Sequence, residues 1–298
     1  MTDELSLVFF GTGPVAAESL EALSQQFEIK LVITKPKPAY HKHPAPVEEM
    51  AKKKDLKLCF AGTTQEIDSQ IEALKPASEV AAVIDFGVII STKTIDYFQY
   101  GIINSHFSLL PRWRGADPIT FTLLSGDQQT GISLMKIVKN LDEGPIIIQK
   151  VLPVEKKATQ ITLTRQLIDL SNETLLEYLP KYINGEVTPE PQPAENISYS
   201  RKITKKDGDI DWNKTAQHIE REIRAYAGWP KSRANINKID CIILEADISN
   251  REIKPGKAEA DKNKLLVGCS QGSLSIKKLQ PAGKKPMSAD EFIRGYIK

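Results

Sequence analysis

Short apolar runs alternate with amphipathic stretches through the first 183 residues, the pattern of a mostly parallel sheet covered by helices. Leu5 to Phe10, Lys30 to Thr34, Lys57 to Phe60, Val80 to Ile84 and Gly101 to Ser105 read as strands. Between them Val15 to Gln26, Pro46 to Asp55 and Gln65 to Lys75 carry helical spacing. Ile132 to Val138 and Ile146 to Val154 add two strands, and Thr159 to Ile183 has the apolar periodicity of a long helix that Gly185 stops. Pro189, Pro191 and Pro193 then stand among polar residues, a linker composition, so residues 1–185 are expected to form one domain and 186–203 a linker. Residues 204–298 hold one helical stretch, Thr215 to Tyr226, and strand-like runs at Ile239 to Ala246, Lys264 to Gly268 and Ser273 to Leu279. Gly and Lys turns separate these runs, which predicts a small β-barrel as the second domain.

Composition narrows the class. A chain of 298 residues that is 41% hydrophobic can bury a real core, which argues against overall disorder. Cys59, Cys241 and Cys269 are widely spaced, with no Cys-x-x-Cys pair, and frame neither a disulfide scaffold nor a zinc site. The start, Met1-Thr2-Asp3-Glu4-Leu5, is acidic where a targeting peptide is basic, and no apolar run reaches the roughly 18 residues of a membrane span. A cytoplasmic protein with no membrane partner is the expectation. The net charge of +2 divides unevenly: residues 1–180 hold 18 Lys+Arg against 22 Asp+Glu, residues 181–298 hold 22 against 16. A basic second half suits either a polyanionic partner or a solvated lysine-rich surface.

Several candidate motifs are incomplete. Gly11-Thr12-Gly13 opens a helix after the first strand, but Ala16 replaces the third glycine of a dinucleotide fingerprint and Thr34-Lys35 replace its acid. His41 and His43 lack a nearby carboxylate or cysteine, and Asp207, Asp209 and Asp211 lack the later glycine and glutamate of a calcium loop, so no metal is expected. The segment from Asn104 to Gly115 differs in kind, placing an amide, an imidazole, a Ser-Leu-Leu-Pro turn and two arginines at the carboxyl end of a strand, where open α/β sheets gather ligands. Asn104 and His106, two apart on a strand, share a face. Leu141-Asp142-Glu143-Gly144 adds a carboxylate in a turn. Asn104, His106 and Asp142 fit either a proton-transfer and oxyanion-stabilising set or a buried polar network.

Taken in order, Asn-x-His, Ser-Leu-Leu-Pro-Arg-Trp-Arg-Gly and Leu-Asp-x-Gly resemble the 10-formyltetrahydrofolate-dependent formyltransferases. Ile210-Asp211-Trp212, Trp229-Pro230 and Leu279 to Ser288 resemble the C-terminal half of the methionyl-tRNA formyltransferases, so the likeness spans essentially the whole chain. It implies an α/β fold: a Rossmann-like formyltransferase domain followed by a small OB-like β-barrel that binds tRNA. The implied reaction moves a formyl group from 10-formyltetrahydrofolate, a co-substrate, to the α-amino group of methionyl-initiator tRNA, in a monomer and without a metal. Asn104, His106 and Asp142 carry the chemistry in that reading. Phe86, Gly87, Ser108, Leu109, Leu110, Pro111, Arg112 and Gly115 contact the folate, and Lys35, Lys37 and Lys42 contact tRNA. Two rival readings are a formyltransferase acting on an amino sugar nucleotide and a catalytically silent nucleic-acid-binding homologue. The chain departs from the family pattern at Asp85-Phe86, where a small residue and Tyr are usual, and at Asp117, where alanine is usual.

Overall fold

The computed structural model describes residues 5–37 and 43–297. Contacts divide the chain into two units: Met1–Pro118, Gln129–Pro153 and Arg165–Ser200 form one, and Ile119–Gln128, Val154–Thr164 and Arg201–Lys298 the other.

The first unit is built on a seven-stranded sheet. Its strands are β1 (Ser6–Gly11), β2 (Glu28–Thr34), β3 (Leu58–Phe60), β4 (Val80–Ile84), β5 (Gly101–His106), β7 (Gln129–Lys136) and β8 (Ile146–Pro153), with the two-residue β6 (Arg114–Gly115) outside it. The order is β3-β2-β1-β4-β5-β7-β8; the first five strands run parallel, and β7 and β8 close the row antiparallel. Helices α1 (Pro14–Leu23), α2 (Pro46–Lys53), α3 (Thr64–Leu74) and α4 (Thr92–Tyr97) connect the parallel strands. Every residue of β4 is buried, as a strand covered on both faces requires. On one side Val8, Phe10, Leu31, Ile33, Ala81, Val83 and Ile102 pack with Ile67 and Ile71 of α3. The chain reverses direction across the sheet between β1 and β4, and the carboxyl ends of these strands open the crevice where such sheets hold ligands.

The long helix α6 (Gln160–Ile183) follows the short α5 (Pro118–Ser125). Ser171 is fully buried and its hydroxyl lies 2.6 Å from that of Ser105 on β5. Because side chains alternate along a strand, fixing Ser105 towards α6 turns Asn104 and His106 to the opposite face. Pro180 lies inside α6 and has no N–H to give the Leu176 carbonyl; Gln26 Nε2 takes that carbonyl at 3.4 Å.

The segment expected as a linker belongs to the first unit up to Ser200. Glu190 exchanges both backbone hydrogen bonds with Ile146, and β9 (Tyr199–Ser200) runs parallel to β6. Prolines remove donors from such a segment, but its non-proline residues supply enough to tie it down. Residues 119–128 and 154–164, expected with the first domain, cluster with the second unit. Their ties are specific: Arg221 donates to the Ser125 carbonyl at 2.9 Å, Arg224 to the Ala158 carbonyl at 2.9 Å, and Lys157 pairs with Asp247.

The second unit is an antiparallel sheet of β10 (Ser232–Ile236), β11 (Ile239–Ser249), β12 (Ala258–Asp261), β13 (Lys264–Gly268), β14 (Ser273–Pro281) and β15 (Met287–Ser288), ordered β10-β11-β14-β13-β12 with β15 against β14. Helices α7 (Ala216–Ala225) and α8 (Ala289–Tyr296) supply Ala216, Ile219, Ile223 and Phe292 to its core. On β11 the buried positions pass from Cys241 and Ile243 to Ala246, an odd step that strict alternation forbids; register shifts on either side of Glu245 absorb it. Both helices start on a side-chain cap, Thr215 accepting from the His218 N–H and Ser288 from the Glu291 N–H. Among the described residues no helix is long and apolar enough to cross a membrane.

Phe292 is fully buried in this core. Phe292→Ala is expected to destabilise the unit by about 3–5 kcal/mol, read as a lowered midpoint in urea unfolding followed by circular dichroism; an unchanged midpoint contradicts the packing described.

Candidate active site

The parallel strands end where the sequence-predicted residues collect. His106, at the end of β5, is 6% exposed. Its Nε2 lies 2.9 Å from the Trp113 carbonyl, which can only accept, so Nε2 carries a proton. Its Nδ1 faces the Asp142 carboxylate, 3.9 Å from Oδ2. That same Oδ2 accepts the Gly115 N–H at 2.7 Å. Asn104 is half-buried on the same strand face, and among the described residues its carboxamide has no hydrogen-bond partner. The three predicted residues are therefore on adjoining elements, with His106 and Asp142 within ion-pair reach.

Gly115 explains why the carboxylate can approach. Its φ of +109° disfavours any side chain, and a Cβ there would lie 2.3 Å from the Ser200 carbonyl oxygen. With no side chain in the way, β6 pairs with β9 and the Gly115 N–H points at Asp142.

The Ser108 to Gly115 loop is braced from below. Ser133 Oγ donates to the Ser108 carbonyl at 2.6 Å and accepts from the Leu110 N–H at 3.0 Å; Gln149 Nε2 bonds both Ser133 Oγ and the Leu110 carbonyl. Ser108 and Leu110 are buried, and Ser108 Oγ donates to the Arg112 carbonyl at 2.5 Å, so the side chains of these two predicted folate residues shape the loop. Pro111 is also buried, Leu109 is half-buried against Gly131, and the Arg112 guanidinium stacks 4.3 Å from the Trp113 ring centroid. Phe86 turns its ring into the core, edge-on to Phe10 at 5.5 Å, and meets the crevice only through its backbone, whose carbonyl accepts from Thr12 Oγ1. Gly87, with φ +66°, is exposed and open.

Asp85 introduces charge beside this crevice. Its carbonyl accepts the Thr12 N–H at 3.1 Å, and its carboxylate lies against Gly13, 2.1 Å from where a Cβ would stand. Asp85 is exposed as a residue, but partial desolvation of its carboxyl pushes it above the usual aspartate range, the charge of Asp117 adds to the rise, and Lys35 opposes it. Lys37, the next predicted tRNA residue, acts on Glu48, whose carboxyl is held low chiefly by its bond to Lys52. Lys42 lies outside the described residues, as does His41. Elsewhere, Asp207 is bound by Arg201 and Thr204, Asp209 by Arg233, and Asp211 by Asn213, so the alternating acids face separate partners. Among the described residues no group of three His, Cys, Asp or Glu converges as metal ligands would.

Two residues were given no role of their own by the sequence reading. Arg114, 5% exposed, pairs with Glu143 at 2.9 Å and with the Gln192 carboxamide. Gln192 sits between two prolines in the supposed linker, and nothing in its composition marks it.

Comparison with known proteins places this geometry. The Formyl transferase family model matches residues 5–179, and the Formyl transferase, C-terminal domain model matches residues 202–297. A methionyl-tRNA formyltransferase of Pseudoalteromonas translucida is 33% identical, covering 99% of this chain and 95% of its own. One from Thermodesulfovibrio yellowstonii is 36% identical over 97% and 95%. Among solved structures, the N-formyltransferase from Helicobacter canadensis in complex with folinic acid and dTDP-3-aminofucose shares the fold at a TM-score of 0.71 and 20% identity, over 91% of this chain and 98% of that one.

The raised Asp85 carboxyl makes a pH-dependent prediction. A carboxyl whose pKa is higher folded than unfolded binds its proton more tightly when folded, so the fold loses stability as pH rises through the window from the ordinary aspartate value to the raised one. Asp85→Asn removes that loss. The variant is expected to melt above the parent at about pH 7, with the gain shrinking as pH falls towards about 4. Equal melting temperatures at neutral pH, or a gain that grows on acidification, contradict it.

Proposed function

The chain belongs to the formyl transferase family, and from that premise we propose that it transfers a formyl group from 10-formyltetrahydrofolate to the α-amino group of methionyl-initiator tRNA. The observation that carries the choice of acceptor is identity of 33% and 36% to methionyl-tRNA formyltransferases along nearly the whole chain. Likeness to the sugar enzyme, at 20% identity, speaks to fold alone.

In the reaction the neutral amine attacks the formyl carbon, the carbonyl oxygen becomes negative, and the amine nitrogen becomes positive. Collapse breaks the bond from the folate N10 to the formyl carbon, N10 takes a proton, and the new amide nitrogen loses one. The free carboxamide of Asn104 donates to the developing oxyanion. His106 has its Nε2 proton committed to the Trp113 carbonyl, so Nδ1 is the ring nitrogen it turns towards the reacting groups. Asp142, 3.9 Å from Nδ1, orients the imidazole and accepts the proton shed by the amine, directly or through water. Preorganised donors aimed at a developing charge need no reorganisation as it appears. The folate sits against the backbone of Phe86 and Gly87 and the loop from Ser108 to Gly115.

The tRNA is held by Lys35 and Lys37 after β2 and by exposed cations of the second unit, such as Lys278, Lys284 and Lys285. Lysines meet phosphates as point charges, without the planar fork of arginine. Each chain carries a complete Asn104, His106 and Asp142 set, so a monomer in the cytoplasm suffices.

The test supplies 10-formyltetrahydrofolate with methionyl-initiator tRNA, methionyl-elongator tRNA or an amino sugar nucleotide. Formylmethionyl-initiator tRNA is the expected product; formylated sugar alone assigns the rival acceptor, and no formylated product with any acceptor overturns the activity. Asn104→Ala, His106→Ala and Asp142→Ala are each expected to lower kcat by about 100-fold to 1,000-fold, the usual loss for a transition-state group. Lys35→Ala with Lys37→Ala is expected to raise KM for tRNA and flatten the slope of log KM against log salt by about one to two. A collapse of kcat at saturating tRNA contradicts a binding role for these lysines.

A further inference from the structure

The proline-rich segment that precedes Ser200 is tied to the site along its length. Beyond the Glu190–Ile146 bridge, Trp113 N–H donates to Ser198 Oγ at 3.0 Å, Arg114 N–H to the Ser198 carbonyl at 2.9 Å, and Ala116 N–H to the Ser200 carbonyl at 3.1 Å. Between these anchors Gln192 turns its carboxamide inward. Its Nε2 donates to the Asp142 carbonyl at 2.7 Å and to the Gly144 carbonyl at 2.9 Å. Its Oε1 accepts from Arg114 Nε at 3.1 Å and Nη2 at 2.8 Å.

The orientation of the amide is unambiguous, since only the oxygen can face a guanidinium and only the nitrogen can face two carbonyls. No other side chain fills both roles at this length: glutamate lacks the donors, and lysine lacks the acceptor. Asp142 needs the restraint, because its φ of +53° is a conformation that L residues adopt at a cost of roughly 1–2 kcal/mol. Gln192 holds the carbonyl of Asp142, while Gly115, next to the Arg114 that Gln192 also holds, bonds its carboxylate.

We infer that Gln192 is a positioning residue that joins the Arg114 and Asp142 loops and so fixes the Asp142 carboxylate against His106. The inference rests on the proposed role of Asp142 as proton acceptor. A merely structural role would affect stability and leave the proton-transfer step alone.

The experiment uses the full chain as Gln192→Ala, Gln192→Glu, Asp142→Ala and the double variant Gln192→Ala with Asp142→Ala. Displacing a reacting group by about 1 Å typically costs about 100-fold, so Gln192→Ala is expected to lower kcat by about 10-fold to 100-fold while KM for tRNA and folate stays within about twofold. Gln192→Glu keeps the size and the Arg114 contact but loses both donors, and is expected to fall at least as far; folding is checked by melting and tRNA binding. In the Asp142→Ala background the Gln192→Ala loss is expected to vanish, because interacting groups are non-additive. Wild-type kcat in Gln192→Glu, or a full additional loss in the double variant, overturns the inference. If Gln192→Ala fails to fold, the Gln192→Glu rate decides. These rates are read on whichever acceptor the parent chain formylates. Failure of the parent on methionyl-tRNA therefore counts against the proposed acceptor, and an active parent with unimpaired Gln192 variants counts against Gln192.

Discussion

A carboxylate with 11% of its side chain exposed needs hydrogen-bond donors in place of the water it has lost, and Asp142 finds one in the backbone N–H of Gly115. Much of the local architecture follows from that contact. The N–H can reach the carboxylate because β6 is drawn against β9, and β9 can approach because residue 115 has no Cβ to strike the Ser200 carbonyl. The pairing in turn requires the segment before Ser200 to lie on the first unit, which spends the backbone donors of residues 113, 114 and 116 on it. One buried charge thereby binds together three stretches of chain far apart in sequence.

The crevice beside this contact is electrostatically divided. Around His106 the groups are complementary: a carboxylate on one ring nitrogen and a carbonyl on the other. Around Asp85 they conflict, since a second acid, Asp117, adds to the rise that partial desolvation gives the carboxyl of this exposed residue. Both acids stand where the resemblance leads one to expect small uncharged residues, and the nearby Lys35 offsets them only in part. The Phe86 ring that replaces the expected phenol is packed on Phe10, so that exchange extends the apolar core at the bottom of the crevice and leaves the backbone groups at its surface in place.

Elements whose burial is periodic were legible in the sequence. The strands β1 to β5, β7 and β8 and the helices α1, α2, α3, α6 and α7 fall within a few residues of their expected positions, because one face or both must be apolar and that face writes its period into the chain. Short or edge elements were not. The helix α5 begins on a proline within a mixed sequence, β12 is Ala-Glu-Ala-Asp with little apolar signal, and α8 is only eight residues long. Of the candidate site, the shared strand face of Asn104 and His106 and the turn that carries Asp142 were legible through strand alternation and turn composition. Gln192 was not, because its partners are two backbone carbonyls and a guanidinium that lie 48 to 78 residues away, and a polar contact at that separation leaves no local pattern. Proline content reports stiffness and missing donors, while the remaining donors decide whether such a segment docks.

Backbone strain near the site has a consistent cause. Asp85, Trp113 and Asp142 all have positive φ, at 47°, 58° and 53°, a region that aspartate enters less readily than glycine and tryptophan rarely. Each is held by a bond to its carbonyl: Thr12 N–H to Asp85, His106 Nε2–H to Trp113, and Gln192 Nε2–H to Asp142. Such conformations persist only where surrounding contacts over-determine them. Relaxing Trp113 would turn its carbonyl away from His106 and free the imidazole to adopt its other tautomer; relaxing Asp142 would swing the carboxylate off the Gly115 N–H. The strained backbone thus sets which nitrogen of His106 carries the committed proton and which one the carboxylate meets, and the side chains that maintain it are as much a part of the candidate site as the three groups proposed to act on the reacting atoms.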